Sequence, residues 1–158
     1  MRSLLACFLL TATLQAQASC DNATLSSDYA LKLTWENMFG DTTTMTGVVD
    51  FNGRGRQSFR VLRWVVLDED GFPELLEGFG TGLYGLAPLC HGYIDVQITE
   101  REYGREVLDI VGQIVASGGP GQGRLEGSAL VRVSDVRGGN PEREQVYIGQ
   151  ISLEEISL

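Results

Sequence analysis

Residues 78–92 read GFGTGLYGLAPLCHG, and this stretch decides the fold class. Its glycines at 78, 80 and 82 recur at every second position, which places them on one face of a β-strand. Pro88 interrupts the strand, and Cys90 stands where the next strand begins. Glycines along one strand face are typical of strands that coil tightly or approach a neighbour closely. The stretch therefore predicts a central antiparallel strand, a turn and a following strand.

The same stretch matches the sequence pattern of a nucleotide-binding motif but lacks its structural context. Residues 80–85 match G-x-G-x-x-G. That motif binds phosphate where a strand leads directly into a helix N-terminus. Here Leu86-Ala87-Pro88 follows, without helical periodicity. The sequence around these glycines therefore does not favour a dinucleotide site.

Alternation of apolar and polar residues recurs outside this stretch. Tyr29, Leu31, Leu33 and Trp35 alternate with polar or small residues, a period of two that indicates a half-buried strand. Asn52-Gly53 predicts a hairpin turn. The predicted strands lie near residues 29–35, 42–51, 57–67, 78–84, 94–98, 108–115, 125–133 and 145–153. This all-β pattern predicts an eight-stranded antiparallel up-and-down β-barrel, with a two-sheet β-sandwich as the alternative.

The third strand changes phase in its middle. Phe59 and Val61 share one face, whereas Leu62 and Trp64 share the other. A β-bulge near Val61-Leu62, or apolar cover on both faces, explains the change. Without a bulge, Arg63 points inward and needs a carboxylate or a ligand; the outward orientation is favoured because arginine is seldom fully buried.

The first residues have the features of a secretory signal peptide. Arg2 precedes a short apolar run, and Ala16-Gln17-Ala18 fits a cleavage site. We therefore expect a signal peptide over residues 1–18 and one barrel domain over residues 19–158, in a secreted or periplasmic protein. Lipid anchoring through Cys20 is the alternative, disfavoured because Gln17 stands where a lipoprotein signal prefers leucine. No integral membrane segment is expected in the mature chain.

Two cysteines remain after that cleavage, Cys20 and Cys90, and an oxidising compartment favours a disulfide between them. Asn22-Ala23-Thr24 fits a glycosylation sequon, which matters only in a host that glycosylates. The formal net charge of −9 argues against nucleic acid and anionic membranes as partners.

A family resemblance rests on two patterns, F-D/N-G-x-G and G-x-Y-x5-C-x-G. They correspond here to Phe51-Asn52-Gly53-Arg54-Gly55 and to Gly82, Tyr84, Cys90 and Gly92. With them the chain resembles a group of small secreted proteins, mostly uncharacterised, that are often described as lipocalin-like or allene oxide cyclase-like barrels. The chain departs from the usual pattern at Leu89, where aspartate often stands, and at His91, where threonine often stands. The resemblance implies a barrel and no catalytic residues.

Candidate functional residues are few. If the barrel encloses a ligand, Trp35, Phe59, Arg63 and Tyr84 are the candidate binding residues, although core packing is the commoner role of such aromatic side chains. His91 is the single histidine. No catalytic residue, metal ligand or cofactor is expected.

Three further surface features have bland interpretations. Asp68-Glu69-Asp70-Gly71 with Glu77 lacks the leading ligand of a calcium loop and indicates a solvated acidic turn. Residues 72–77 indicate a short lid or one helical turn. The basic strip of Arg54, Arg56, Arg60 and Arg63 suits either an anion or nearby acids.

The leading functional hypothesis is an extracytoplasmic module that binds a small apolar ligand or a protein partner. The alternatives are a cofactor-independent cyclase or isomerase acting in the lumen, and an inhibitor of a secreted hydrolase acting through residues 68–77. A barrel fold does not choose among them.

Overall fold

The strands form one antiparallel sheet that closes on itself. The structure, a computed structural model, describes residues 20–36, 40–67, 71–101, 106–117, 123–137 and 140–156; the predicted signal peptide lies outside these ranges. The strands are β1 (Asp28–Glu36), β2 (Thr42–Phe51), β3 (Arg56–Leu67), β4 (Pro73–Leu86), β5 (His91–Glu100), β6 (Glu106–Ser117), β7 (Arg124–Arg137) and β8 (Asn140–Glu155).

The strand order confirms the predicted eight-stranded up-and-down barrel. Each strand pairs with the next in sequence, and β1 closes the barrel by pairing with β8, with Leu33 opposite Ile151. A sandwich would leave edge strands unpaired, whereas closure satisfies their backbone hydrogen bonds.

Alternation along the strands fills the lumen. In β1, Tyr29, Leu31, Leu33 and Trp35 are buried, and the residues between them face outward. Burying each such side chain contributes about 1.5–3 kcal/mol, so this pattern specifies which face of the strand turns inward.

Glycines on the inner face make room for the largest side chains. A Cβ atom on Gly78 would lie 2.8 Å from two ring carbons of Trp64, so the indole occupies the space beside this glycine. Gly47 stands likewise against Leu62. The glycines singled out in the sequence therefore serve packing and close strand approach.

The predicted bulge in β3 is present. The register between β3 and β4 shifts between Phe59 and Leu62, and Val61 adopts a left-handed backbone conformation with φ of 52°. The extra residue turns Phe59, Leu62 and Trp64 all inward. Arg63 then faces outward, as favoured from the sequence.

Two local expectations are corrected or refined. Residues 72–77 form neither a lid nor a helical turn, because β4 begins at Pro73 and Leu76 packs into the core. Proline fits at the first residue of a strand, where its missing N–H is tolerated. The hairpin after β2 spans residues 52–55, and the Asn52 side chain accepts hydrogen bonds from the backbone N–H groups of Arg54 and Arg56.

The segment before β1 closes one end of the barrel. It contains a 3-10 turn at Asn22–Thr24 and places Leu25 in the core. The predicted disulfide between Cys20 and Cys90 ties this segment to the loop after β4. The Asn22 Oδ1 atom accepts a hydrogen bond from the Leu86 N–H at 2.8 Å, so the sequon asparagine has a structural role.

Candidate functional site

The end of the barrel opposite the Cys20–Cys90 disulfide carries a mouth-like cavity of about 790 Å³. It lies where β1, β3 and β7 end and where β2 and β8 begin. We call this cavity the mouth. The described residues that line it are Trp35, Gly40, Asp41, Thr42, Thr43, Thr44, Val65, Val66, Val133, Gln145 and Tyr147.

The mouth combines an apolar floor with a polar rim. Trp35 is almost fully buried, and Val133 and Tyr147 pack against the core. The Tyr147 hydroxyl donates a hydrogen bond to the Gln145 side-chain oxygen. Thr43, on the inner face of β2, supplies a further hydroxyl group. Concave apolar surfaces with a few placed polar groups, of about 300–1,000 Å³, are typical of small-molecule sites.

Below the mouth the lumen is filled by side chains. Met45 pairs across the sheet with Leu33 on one side and with Trp64 on the other. None of these three side chains is more than 1 % exposed. A ligand at this end therefore rests on the layer that contains Trp64 and does not extend down the barrel axis at this level.

The opposite end is sealed by aromatic rings and backbone hydrogen bonds. The Phe51 ring contacts the Tyr29 and Tyr84 rings edge to face, with centroid distances of 5.2 and 4.9 Å. The Tyr84 hydroxyl lies 3.0 Å from the carbonyl oxygens of Asn22 and Leu25. Burial raises the pKa of both tyrosine hydroxyls above the ordinary value of 10.0. This end is built for closure.

The four predicted binding residues do not converge. Trp35 lines the mouth. Phe59 is buried in the core, and Tyr84 belongs to the sealed end. The Arg63 Nε atom lies 2.8 Å from Glu77 Oε1 on the outer surface. Of the predicted set, therefore, only Trp35 lies at the mouth, and Arg63 is satisfied by a neighbouring carboxylate.

The remaining sequence candidates lie apart from the mouth. His91 is exposed at the start of β5 and pairs with Val115. In the basic strip, Arg60 bonds the Asp28 carboxylate at 2.7 Å. Residues 68–70 of the acidic turn lie outside the described residues. The described part of the chain contains no group of three or more histidine, cysteine or acidic residues that could hold a metal ion.

Two polar side chains are buried within the described part of the barrel, Gln57 and Glu100. The Gln57 Nε2 atom donates to the Leu83 carbonyl at 3.0 Å, and its Oε1 atom has no hydrogen-bond donor there. A carboxamide stays neutral near neutral pH, so Gln57 is no candidate for acid-base chemistry.

Sequence reasoning missed most of the mouth. Val66, Val133 and Tyr147 come from three strands far apart in sequence, and register brings them to one end. The position of a residue within its strand could have identified the mouth. In an up-and-down barrel, odd-numbered strands end at the same end of the barrel where even-numbered strands begin. Inward residues at these strand ends could have been grouped in this way.

These features define a disulfide-linked, eight-stranded up-and-down barrel with one sealed end and one mouth. No family model, curated protein or solved structure matches the chain. In the described ranges, the structure also contains no helix with the length and apolarity needed to cross a membrane.

Proposed function

We propose that the protein is an extracytoplasmic binding barrel that holds a small, mainly apolar ligand in the mouth. The observation that carries this proposal is the cavity of about 790 Å³ floored by Trp35, Val66 and Val133. Its volume falls in the range of small-molecule sites, and a barrel end is a common place for them.

The chemistry of the mouth restricts the ligand. Apolar side chains form the floor, whereas Thr43, Asp41 and Gln145 contribute polar atoms. A ligand with an apolar body and one uncharged hydrogen-bonding group matches both parts. Its apolar body lies against Trp35, and its polar group faces Thr43.

The proposed location outside the cytoplasm is supported by the disulfide. Cysteine pairs of this kind persist in oxidising compartments. The Cys20 sulfur is bonded to Cys90 and is therefore not available for the thioether that a lipid anchor requires. The lipocalin-like and allene oxide cyclase-like resemblance remains a prediction, as do the cyclase or isomerase and the hydrolase inhibitor, because no contact among the described residues favours them specifically.

The proposal is tested by a substitution that fills the mouth and leaves the core side chains unchanged. Thr43 lines the mouth from the inner face of β2, and Thr46 faces outward on the same strand. Nile red, a neutral apolar dye, is titrated into wild type, Thr43→Phe and the matched control Thr46→Phe while dye fluorescence is measured.

We expect Thr43→Phe to raise the Nile red dissociation constant at least about tenfold, equivalent to about 1.4 kcal/mol, and Thr46→Phe to leave it unchanged. Native mass spectrometry of wild type after exposure to a lipid extract then identifies the ligand class. Failure of wild type to bind the dye or any extract component would refute the proposal. Equal effects of the two substitutions would place binding elsewhere and refute it as well.

A further inference from the structure

The outer face of β3 and β4 carries an apolar ladder interrupted by one ion pair. Val65 pairs with Leu75, Arg63 pairs with Glu77, and Phe79 lies opposite the bulge that contains Val61. We call these six residues the outer ladder. Its four apolar side chains are between 47 and 59 % exposed. Contiguous exposed apolar side chains on a folded protein mark interaction surfaces.

The backbone at Val61 adds a second observation. Its φ of 52° lies in the left-handed region, which is unfavourable for a β-branched residue. Glycine would relieve this strain, and the valine side chain is 58 % exposed, so it gains little burial in the single chain. A strained residue that displays an apolar side chain next to Phe79 is consistent with a contact made outside the chain.

We propose that the outer ladder is the interface of a homodimer with two-fold symmetry. A two-fold axis that lies between the facing surfaces and parallel to the strands places β3 of one copy over β4 of the other. Each residue then faces the copy of its own cross-strand partner. Val65 meets Leu75, and Val61 meets Phe79. Arg63 meets Glu77 of the second copy.

Charge complementarity identifies a second copy as the occupant. The Arg63–Glu77 pair lies between the two apolar pairs, and its Arg63 Nε to Glu77 Oε1 distance is 2.8 Å. Under the two-fold axis, two such pairs form a square in which every charge has opposite charges as neighbours. The self-complementary pattern is what an isologous interface requires.

The size of the ladder sets the expected strength. Val61 and Val65 are four residues apart, about 13 Å along a strand, and the barrel surface is convex. Such a contact belongs with small, weak interfaces, so we expect a micromolar dissociation constant. The net charge of −9 on each chain also opposes association at low salt. Measurements therefore belong at about 0.15 M salt, where the Debye length is about 8 Å.

Sedimentation velocity of the disulfide-bonded protein from about 1 µM to about 1 mM tests the proposal. We expect wild type to form dimers over this range. Phe79→Glu is expected to raise the dissociation constant at least about tenfold by placing a charge in the apolar contact. Leu130→Glu is the matched control, because Leu130 is a similarly exposed apolar residue on the outer face of β7; it is expected to dimerise like wild type.

Exchanging the charges of Arg63 and Glu77 distinguishes a loss of the dimer contact from a loss of folding. Arg63→Glu and Glu77→Arg each place like charges face to face, so each variant alone is expected to dimerise at least about tenfold more weakly. An equimolar mixture of the two is expected to form a heterodimer, because opposite charges then meet across the axis. The double variant Arg63→Glu/Glu77→Arg is expected to recover wild-type association.

Three results would overturn the proposal. If wild type stays monomeric up to about 1 mM, the outer ladder is not a homodimer interface, even if it binds another partner. A dimer that is unaffected by Phe79→Glu uses another surface. Failure of the mixed single variants to associate would contradict the two-fold arrangement.

Discussion

The sealed end makes a quantitative prediction for Tyr84→Phe, which removes one hydroxyl and keeps the ring. The hydroxyl lies 3.0 Å from both the Asn22 and the Leu25 carbonyl oxygens but has one proton, so it makes one full hydrogen bond at a time. Both carbonyls keep another donor, the Leu25 N–H at 3.1 Å and the Gly53 N–H at 2.9 Å respectively. Neither acceptor is left unpaired by the substitution.

The expected loss is therefore that of one net hydrogen bond, about 1 kcal/mol of unfolding free energy. The edge-to-face contact with Phe51 persists because the ring is unchanged. Removal of the whole ring in Tyr84→Ala is expected to cost about 3–5 kcal/mol. Urea unfolding followed by tryptophan fluorescence measures both values. Tyr93→Phe serves as the matched control, since Tyr93 is exposed, and is expected to change stability by less than about 0.5 kcal/mol.

The pH dependence provides a second readout of the same substitution. Burial raises the pKa of Tyr84 in the folded state above its ordinary value of 10.0. Above pH 10.0 the unfolded chain loses this proton more readily than the folded one, so stability falls as pH rises. Phenylalanine has no such proton. The stability deficit of Tyr84→Phe is therefore expected to shrink between pH 9 and pH 11.

Two results would refute this account of Tyr84. A loss for Tyr84→Phe as large as that for Tyr84→Ala would mean that the hydroxyl carries more than one hydrogen bond. An unchanged deficit from pH 9 to pH 11 would mean that the folded and unfolded states bind this proton equally.

Two further changes test the closure and the packing of the barrel. Cys20→Ser/Cys90→Ser opens a link with a sequence separation of 70 and is expected to cost about 4 kcal/mol in urea unfolding; a loss under about 1 kcal/mol would contradict the closing role of the disulfide. Gly78→Ala places a Cβ atom 2.8 Å from the Trp64 ring and 2.9 Å from the Thr99 carbonyl oxygen, so we expect a loss of about 1–3 kcal/mol and an altered near-ultraviolet dichroism of Trp64. If Gly78→Ala left the unfolding free energy unchanged, the Trp64 ring would not depend on the space beside this glycine.

Strand number and orientation were predictable because alternation with a period of two reports directly on a sheet with one buried face. The bulge was predictable for the same reason, since Phe59 and Leu62 cannot both turn inward in a regular strand. The start of β4 was not. Pro73 and the charged residues near it resemble a turn, and pairing of Leu75 with Val65 overrides that local preference.

The mouth was only partly predictable, because its composition depends on register. Trp35 was recognised as an inward aromatic residue, yet nothing local links it to Val133 or Tyr147. Tyr84 is also predicted as an inward aromatic residue, but it lies at the sealed end. Two inward aromatic residues therefore have the same signal in sequence and different surroundings in the barrel. Their distance from the strand ends, read together with strand direction, is what separates them.

The packing of the lumen explains why function is proposed at the mouth and on the outer face. Inner-face glycines such as Gly78 create space, and large side chains such as Trp64 fill it. A barrel packed in this way gains stability and loses room for a ligand around that layer. The proposed binding site therefore lies at a strand end, where the Trp35 layer meets solvent. The proposed homodimer contact lies on the outer ladder, where the apolar side chains of Val61 and Phe79 are exposed on the outer face.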